Sequence, residues 1–261
     1  MSKHSALAKF GRSGNPALNA TTFTGVVPKS GEEARGMATM SLGGTVNKTG
    51  ILLLLVVLSA SWTWNLFFQS NNPATVMPLM ITGGIGGFIF ALITMFKKHW
   101  SGITAPVYAV LQGLFLGGIS AIYEAQFDGI VIQAVGLTLG TLSSLLLLYK
   151  TGIVKPTENF RLMVTSATMG IGLLYLVSMV MNMFGSSIGF IHSNGLFGIG
   201  FSLFVVAIAA LNLVLDFDFI EQGAEQGAPK YMEWFGAFSL MVTLIWLYLE
   251  MLRLLAKLRS R

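Results

Sequence analysis

Long oily runs alternate with short polar joints along most of this chain. Seven runs stand out: residues 50–68, 77–96, 102–123, 130–149, 162–184, 196–215 and 234–252. The first six contain no Asp, Glu, Lys or Arg, and the seventh contains Glu250. A helix needs roughly 20 apolar residues to cross about 30 Å of hydrocarbon, and each run has that length. Barrel strands would instead show about 10 residues of alternating polarity. Runs such as ILLLLVVL and SLLLLY are oily on every side. The pattern predicts an all-α polytopic membrane protein, a seven-transmembrane-helix bundle. The short connections leave no second globular domain, so the prediction is a flexible polar N-terminal tail over residues 1–48 and a seven-helix transmembrane domain over 49–261.

Composition strengthens that reading. Hydrophobic residues make up 54% of the chain and charged residues 10%, against about 25% charged in soluble domains. The tail is rich in Ser, Gly, Thr, Lys and Arg. It lacks the apolar h-region of a secretory signal, roughly 7–15 residues long, and a short interfacial helix is expected around residues 32–40. Cysteine is absent, which excludes disulfides and thiolate metal sites.

A net charge of +5 could mean nucleic acid, but its distribution points to a lipid bilayer as the partner. Lys3, Lys9, Arg12, Lys29, Arg35 and Lys48 precede the first run; Lys97 and Lys98 follow the second; Lys150, Lys155 and Arg161 lie between the fourth and fifth. The alternate connections lack this basic excess, so the positive-inside rule places the N-terminus in the cytoplasm. Seven crossings then put Arg253, Lys257, Arg259 and Arg261 outside, against the rule, unless the last helix re-enters without crossing. Both alternatives stand at this point.

Most motifs are structural. Glycines four apart (Gly83 and Gly87, Gly113 and Gly117, Gly136 and Gly140) predict close helix packing in lipid. The GGIGG cluster lies inside a run and follows no strand, so it is no phosphate loop. His4, His99 and His192 lack ligand spacing, which leaves no certain metal site. Ser186 and Ser187 beside His192 are a poor match to a buried protease arrangement. Methionines spread along the runs are packing filler, and the tryptophans sit mostly near run ends as interfacial anchors. With no nucleophile–base constellation, neither catalytic nor cofactor-binding residues are identified, and the chain is not expected to be an enzyme.

The acidic residues around the last two runs are the exception. An Asp at a helix centre costs about 2.5–3.5 kcal/mol on insertion. Asp216 and Asp218 are two apart and point about 200° from each other on a helix, so one faces the interior and the other meets headgroups or water. Glu250 lies in LIWLYLEMLRLL with apolar neighbours, and Arg253 at i+3 is a candidate partner. The bland alternatives are a solvated helix end for Asp216, Asp218, Glu221 and Glu225, and snorkelling for Glu250.

Several blocks in order resemble the Bax inhibitor-1 family, in its bacterial YccA-like branch: NPALNATTF, MATMSLGGTVNKTGILLLL, SASWTW, APVYAVLQGLFLGGIS, LYKTGIVKPTENFR, DFDFIEQG and LYLEMLRLL. The resemblance covers about residues 15–257. It implies a bacterial inner-membrane protein of seven helices with the last helix central. It also implies a pH-sensitive calcium leak controlled by an acidic pair between the sixth and seventh helices, with calcium as transported ion and no cofactor. The family's D-x-x-x-I pattern matches Asp216 with Ile220, and its acid after L-Y-L matches Glu250. Asp218 has no counterpart and is auxiliary. Two features depart from the family: the second acid is Glu where Asp is common, and residues 77–96 lack the basic latch of some relatives. The alternative function is a non-transporting regulator that binds a membrane protease or quality-control complex through the tail. A secondary transporter would need inverted repeats, and none is evident.

The mechanism expected from this resemblance has the two carboxyls meeting and sharing a proton. A second ionisation would set two charges roughly 4 Å apart, costing about 4 kcal/mol at an effective dielectric of 20. That is enough to shift a helix arrangement whose gap is a few kcal/mol and to expose oxygens suited to calcium. A continuous helix from 231 to 250 rises about 29 Å, so the pair meets only if the 223–236 segment bends or returns.

Overall fold

The computed structural model describes residues 39–185 and 193–260. Among them, seven helices are long and apolar enough to cross a membrane: α1 (Leu42–Ser70), α2 (Pro73–Phe96), α3 (Ser101–Gln126, preceded by a 3₁₀ turn at Lys98–Trp100), α4 (Ile130–Lys150), α5 (Glu158–Met183), α6 (Leu196–Glu225) and α7 (Met232–Arg259). The all-α polytopic architecture is the one the hydrophobic pattern predicts.

Local chemistry sets the helix limits. Ser41 caps α1, its side chain accepting from Gly44 N–H at 3.0 Å. Asn71 ends that helix in the left-handed region at φ 48°. Asn72 then caps α2, with Pro73 in the first turn where no N–H is needed. Thr157 caps α5, accepting from Phe160 N–H at 3.3 Å. The cap at Ser41 moves one sequence boundary: residues 42–48, read as tail, form the first turns of α1. Polarity marks where hydrocarbon begins, whereas the cap marks where the helix begins. Of the interfacial helix expected at 32–40, residues 32–38 lie outside the described residues. Thr39 forms an antiparallel bridge with Pro229. The Ser186–Ser187–His192 grouping also lies outside the described residues.

The chain divides into two compact units. In described residues, the first comprises 39–128 and 220–241, and the second comprises 129–185, 193–219 and 242–260. In the first unit, α3 packs on α1 and α2 at glycines. A Cβ on Gly83 would strike the Leu111 backbone, and one on Gly117 would strike the backbone of Ala60. Gly117→Val should therefore pry α1 from α3 and lower the detergent-micelle melting temperature by several degrees, at about 2–4 °C per kcal/mol. An unchanged melt would refute the close approach. The pair in α4 behaves otherwise: Gly136 and Gly140 have nothing within 4 Å of an added Cβ, so they face outward and do not pack. A four-residue repeat sets a helix face but not which neighbour it meets.

Burial separates the helices by role. In their most apolar windows α1, α2, α4 and α5 are 17–22% buried, while α3, α6 and α7 are 50%, 56% and 78% buried. Ile51, Leu54 and Leu58 on α1, or Ile81, Ile85 and Phe88 on α2, are exposed apolar side chains of the kind hydrocarbon covers. The enclosed helices α6 and α7 carry the acids, and α7 is the most enclosed.

Candidate functional site

In the second unit α6 and α7 run antiparallel in one register. Thr243 Oγ1 donates to Asp216 Oδ2 at 2.5 Å. Fourteen residues further along α7 and fourteen back along α6, Lys257 Nζ donates to Ser202 Oγ at 2.8 Å. Positions 243, 246, 250, 253 and 257 recur at intervals of three and four, so they form one stripe of α7. Thr, Trp, Glu, Arg and Lys occupy it. Trp246 packs on Ile171, Val205 and Ile208; the rest form a polar seam.

Glu250 is 2% exposed. Its Oε1 accepts from the Tyr175 hydroxyl of α5 at 3.0 Å. Arg253 Nη1 donates to both carboxylate oxygens, at 2.8 and 3.0 Å, and to Tyr175 Oη at 2.7 Å. The guanidinium also lies 5.2 Å from the centre of the Tyr175 ring, within cation–π range. Lys257 is buried and donates a second bond to Gly198 O at 3.0 Å. Of the four C-terminal cations, Lys257 is buried in the bundle, while Arg253, with 37% of its side chain exposed, reaches in to the buried Glu250. α7 is unbroken over 28 residues, so no break within it makes it re-enter.

Asp216 is fully buried. Asp218, two residues on, has 13% of its side chain exposed and takes Arg161 Nη2 of α5 at 2.7 Å. The opposite directions expected of the two aspartates are present, but Asp218 meets an arginine, not bulk water. Arg161, counted above among the connections, stands in the first turn of α5.

Thr243 holds Asp216, and Tyr175 with Arg253 holds Glu250. From Thr243 to Glu250 is seven residues, or about 10 Å along the helix. Asp216 on α6 and Glu250 on α7 are therefore held at two levels of one α7 stripe, about two turns apart. They are far closer than the rise from 231 to 250 alone would allow, because α6 continues to Glu225. The hairpin tip lies well beyond Asp216, and the antiparallel return brings α7 back past it.

A further ionic cluster, in the first unit, has no counterpart in the sequence reading. Glu233 is fully buried. It accepts from Ser41 N–H and from Ser41 Oγ, both at 2.9 Å. It also pairs with Lys230 at 2.8 Å and with Lys48. Met40 N–H bonds Ala228 O at 2.6 Å alongside, so the start of α1 is clamped to the α6–α7 connection. Among the described residues no group of three or more His, Cys, Asp or Glu could hold a metal ion.

The sequence offered signals for some of this. The three–four spacing of Thr243, Trp246, Glu250, Arg253 and Lys257 was readable as a polar stripe. Tyr175, Arg161 and Lys48 as partners were not, since they lie 57 to 185 residues from the acids they bind.

Helices able to cross a membrane, with three carboxylates and a lysine buried among them, define a multi-pass α-helical membrane protein. The family model of Bax inhibitor 1 like proteins matches residues 15–260, and the chain belongs to that family. No curated protein and no solved structure matches it.

Proposed function

We propose that this protein, in the bacterial YccA-like branch of its family, conducts cations down their gradient across the bacterial inner membrane. Calcium is the transported ion, and Asp216 and Glu250 set the flux according to pH. The observation that supports this is the burial of two carboxylates, Asp216 on α6 and Glu250 on α7, the first held by Thr243 on the same stripe of the most enclosed helix that carries the second. Ionisable groups at membrane depth mark ion pathways and proton relays.

A shared proton is not needed. At about 10 Å, two like charges repel by about 1.7 kcal/mol at an effective dielectric of 20, against about 4 kcal/mol at 4 Å. The smaller coupling still shifts a two-state population more than tenfold. Each acid has a hydroxyl donor, Thr243 for Asp216 and Tyr175 for Glu250. An ionised carboxylate only accepts, whereas a protonated one also donates, so each proton gained or lost rewires a contact that positions α7. Protonation holds α7 closed, and deprotonation loosens it and leaves oxygen ligands for a hard cation.

The test is calcium release from proteoliposomes across a pH series. Wild type should release more at alkaline than at acidic pH. Glu250→Gln, which retains an acceptor for Tyr175 and Arg253, should flatten that response. Release no faster than from protein-free liposomes would sink the leak reading. An unaltered pH response in Glu250→Gln would remove Glu250 from the gate.

A further inference from the structure

In the first unit the start of α7 meets the starts of α1 and α3 through Trp234. Lys48 Nζ of α1 lies 5.6 Å from the centre of the Trp234 ring, within cation–π range. Gly102 of α3 leaves room for the same ring: an added Cβ there would stand 3.6 Å from Trp234 Cδ1 and 3.7 Å from Nε1. Alongside, Ser101 Oγ donates to Tyr231 O at 3.0 Å. Lys48 and Lys230 both hold the Glu233 carboxylate. Two ammonium groups on one carboxylate leave this cluster with an excess positive charge. Lys230 is exposed, and Lys48 and Trp234 are half-buried, so the charge and the ring edge are both accessible.

Apolar surface runs away from the cluster toward the middle of the helices. Ile51, Leu54 and Leu58 follow Lys48 on one stripe of α1, at intervals of three and four. Ile103 and Val110, seven apart, share a face of α3 beside Gly102. All five side chains are exposed. The charges of the unit are also unevenly placed. Its Trp234 end carries Lys48, Lys97, Lys98 and Lys230 against Glu221, Glu225 and Glu233. Its opposite end carries Glu124 and Asp128 without a cation. An anionic amphiphile is therefore attracted to the first end and repelled from the second.

We propose that this face binds an anionic phospholipid of the phosphatidylglycerol type, its phosphodiester at Lys48, Lys230 and Trp234 and its chains along α1 and α3. Basic pockets between membrane helices take anionic headgroups in this way. The lysines and the indole N–H supply donors, and a tryptophan at the membrane edge has an apolar body with a polar handle. A phosphodiester brings the one negative charge that the cluster lacks. A zwitterionic headgroup adds an ammonium beside Lys230 and gains less. The site goes beyond the calcium reading and does not depend on it.

The experiment titrates the delipidated full-length protein in detergent with phosphatidylglycerol or phosphatidylcholine of the same chains, counting bound lipid by native mass spectrometry. A photoactivatable phosphatidylglycerol then locates the lipid by the peptides it labels. Wild type should bind phosphatidylglycerol more tightly than phosphatidylcholine, saturably, and the label should fall on residues 42–58 and 230–234. Lys230→Gln leaves Glu233 with Lys48 and Ser41, and should weaken phosphatidylglycerol binding about fivefold. Trp234→Phe keeps a ring but loses the N–H, and should weaken it as well. Lys155→Gln, at an exposed lysine of the second unit, should change nothing. Labelling of wild type stands even if a variant fails to fold. Equal affinity for the two lipids, or label confined to other segments, would overturn the site. Equal weakening by Lys155→Gln and Lys230→Gln would reduce it to diffuse surface charge. Displacement of the lipid by millimolar inorganic phosphate would mean that the cluster takes a free anion, overturning the lipid assignment. Selective lipid binding without calcium release from liposomes would uphold this site while sinking the leak. Calcium release without that selectivity would do the reverse.

Discussion

Asp216→Asn is expected to hold calcium release at one low level across the pH series, where wild type climbs with pH. The substitution keeps size and the oxygen that Thr243 donates to at 2.5 Å while removing the only proton that position can exchange. Because Asp216 is fully buried, its charge cannot be screened by water as a surface carboxylate's is. The low level is expected because Asn resembles the protonated, closed form. If coupling between the acids is about 1.7 kcal/mol, Asp216→Asn with Glu250→Gln should flatten the response hardly further than Asp216→Asn alone. A pH response in Asp216→Asn that overlays wild type would eliminate the proposed gate, whatever the flux.

Glu233→Ala should give the largest loss of stability. It strips partners from Lys48, Lys230 and both polar groups of Ser41 at once. Breaking a buried pair costs about 3–5 kcal/mol. Lys230 is half exposed, with 52% of its side chain accessible, and can turn to water, so the lower end, about 3 kcal/mol, applies. At about 2–4 °C per kcal/mol the melt in micelles should fall by roughly 6–12 °C. Glu233→Leu combined with Lys48→Met should recover part of it, since replacing both partners leaves no charge stranded. A single-site melt within a degree of wild type would show that the cluster does not hold the start of α1. The clamp also bears on truncations. Removing residues 1–38 keeps Thr39, Met40 and Ser41, whereas removing 1–41 deletes the α1 cap and two donors to Glu233.

The part of this protein legible in its sequence is the part governed by the solvent. Hydrocarbon demands unbroken apolar runs of a set length, so seven spans could be counted without coordinates. The same logic exposed Asp216 and Glu250 as costly acids. Caps belong to the same level: Ser41, Asn72 and Thr157 act on backbone groups within three residues of themselves. What sequence handled poorly was the end of a helix in polar residues. The run ending at Leu215 looked like a helix end, yet α6 continues to Glu225. Its further residues are bound by tertiary partners rather than by lipid, as Asp218 is by Arg161.

By itself, then, the sequence determined the class, the number of spans and which acids are anomalous, because these follow from one residue's free energy in lipid or from neighbours along a helix. Only the tertiary structure decided the rest. It set Asp216 on Thr243 and Glu250 on Tyr175 and Arg253, sealed Glu233 under Lys48, and left Thr165 and Asn212 with bare oxygens. A buried charge is tolerable beside many different donors, and the donor it receives depends on the register in which distant helices return past each other. No local pattern carries that register.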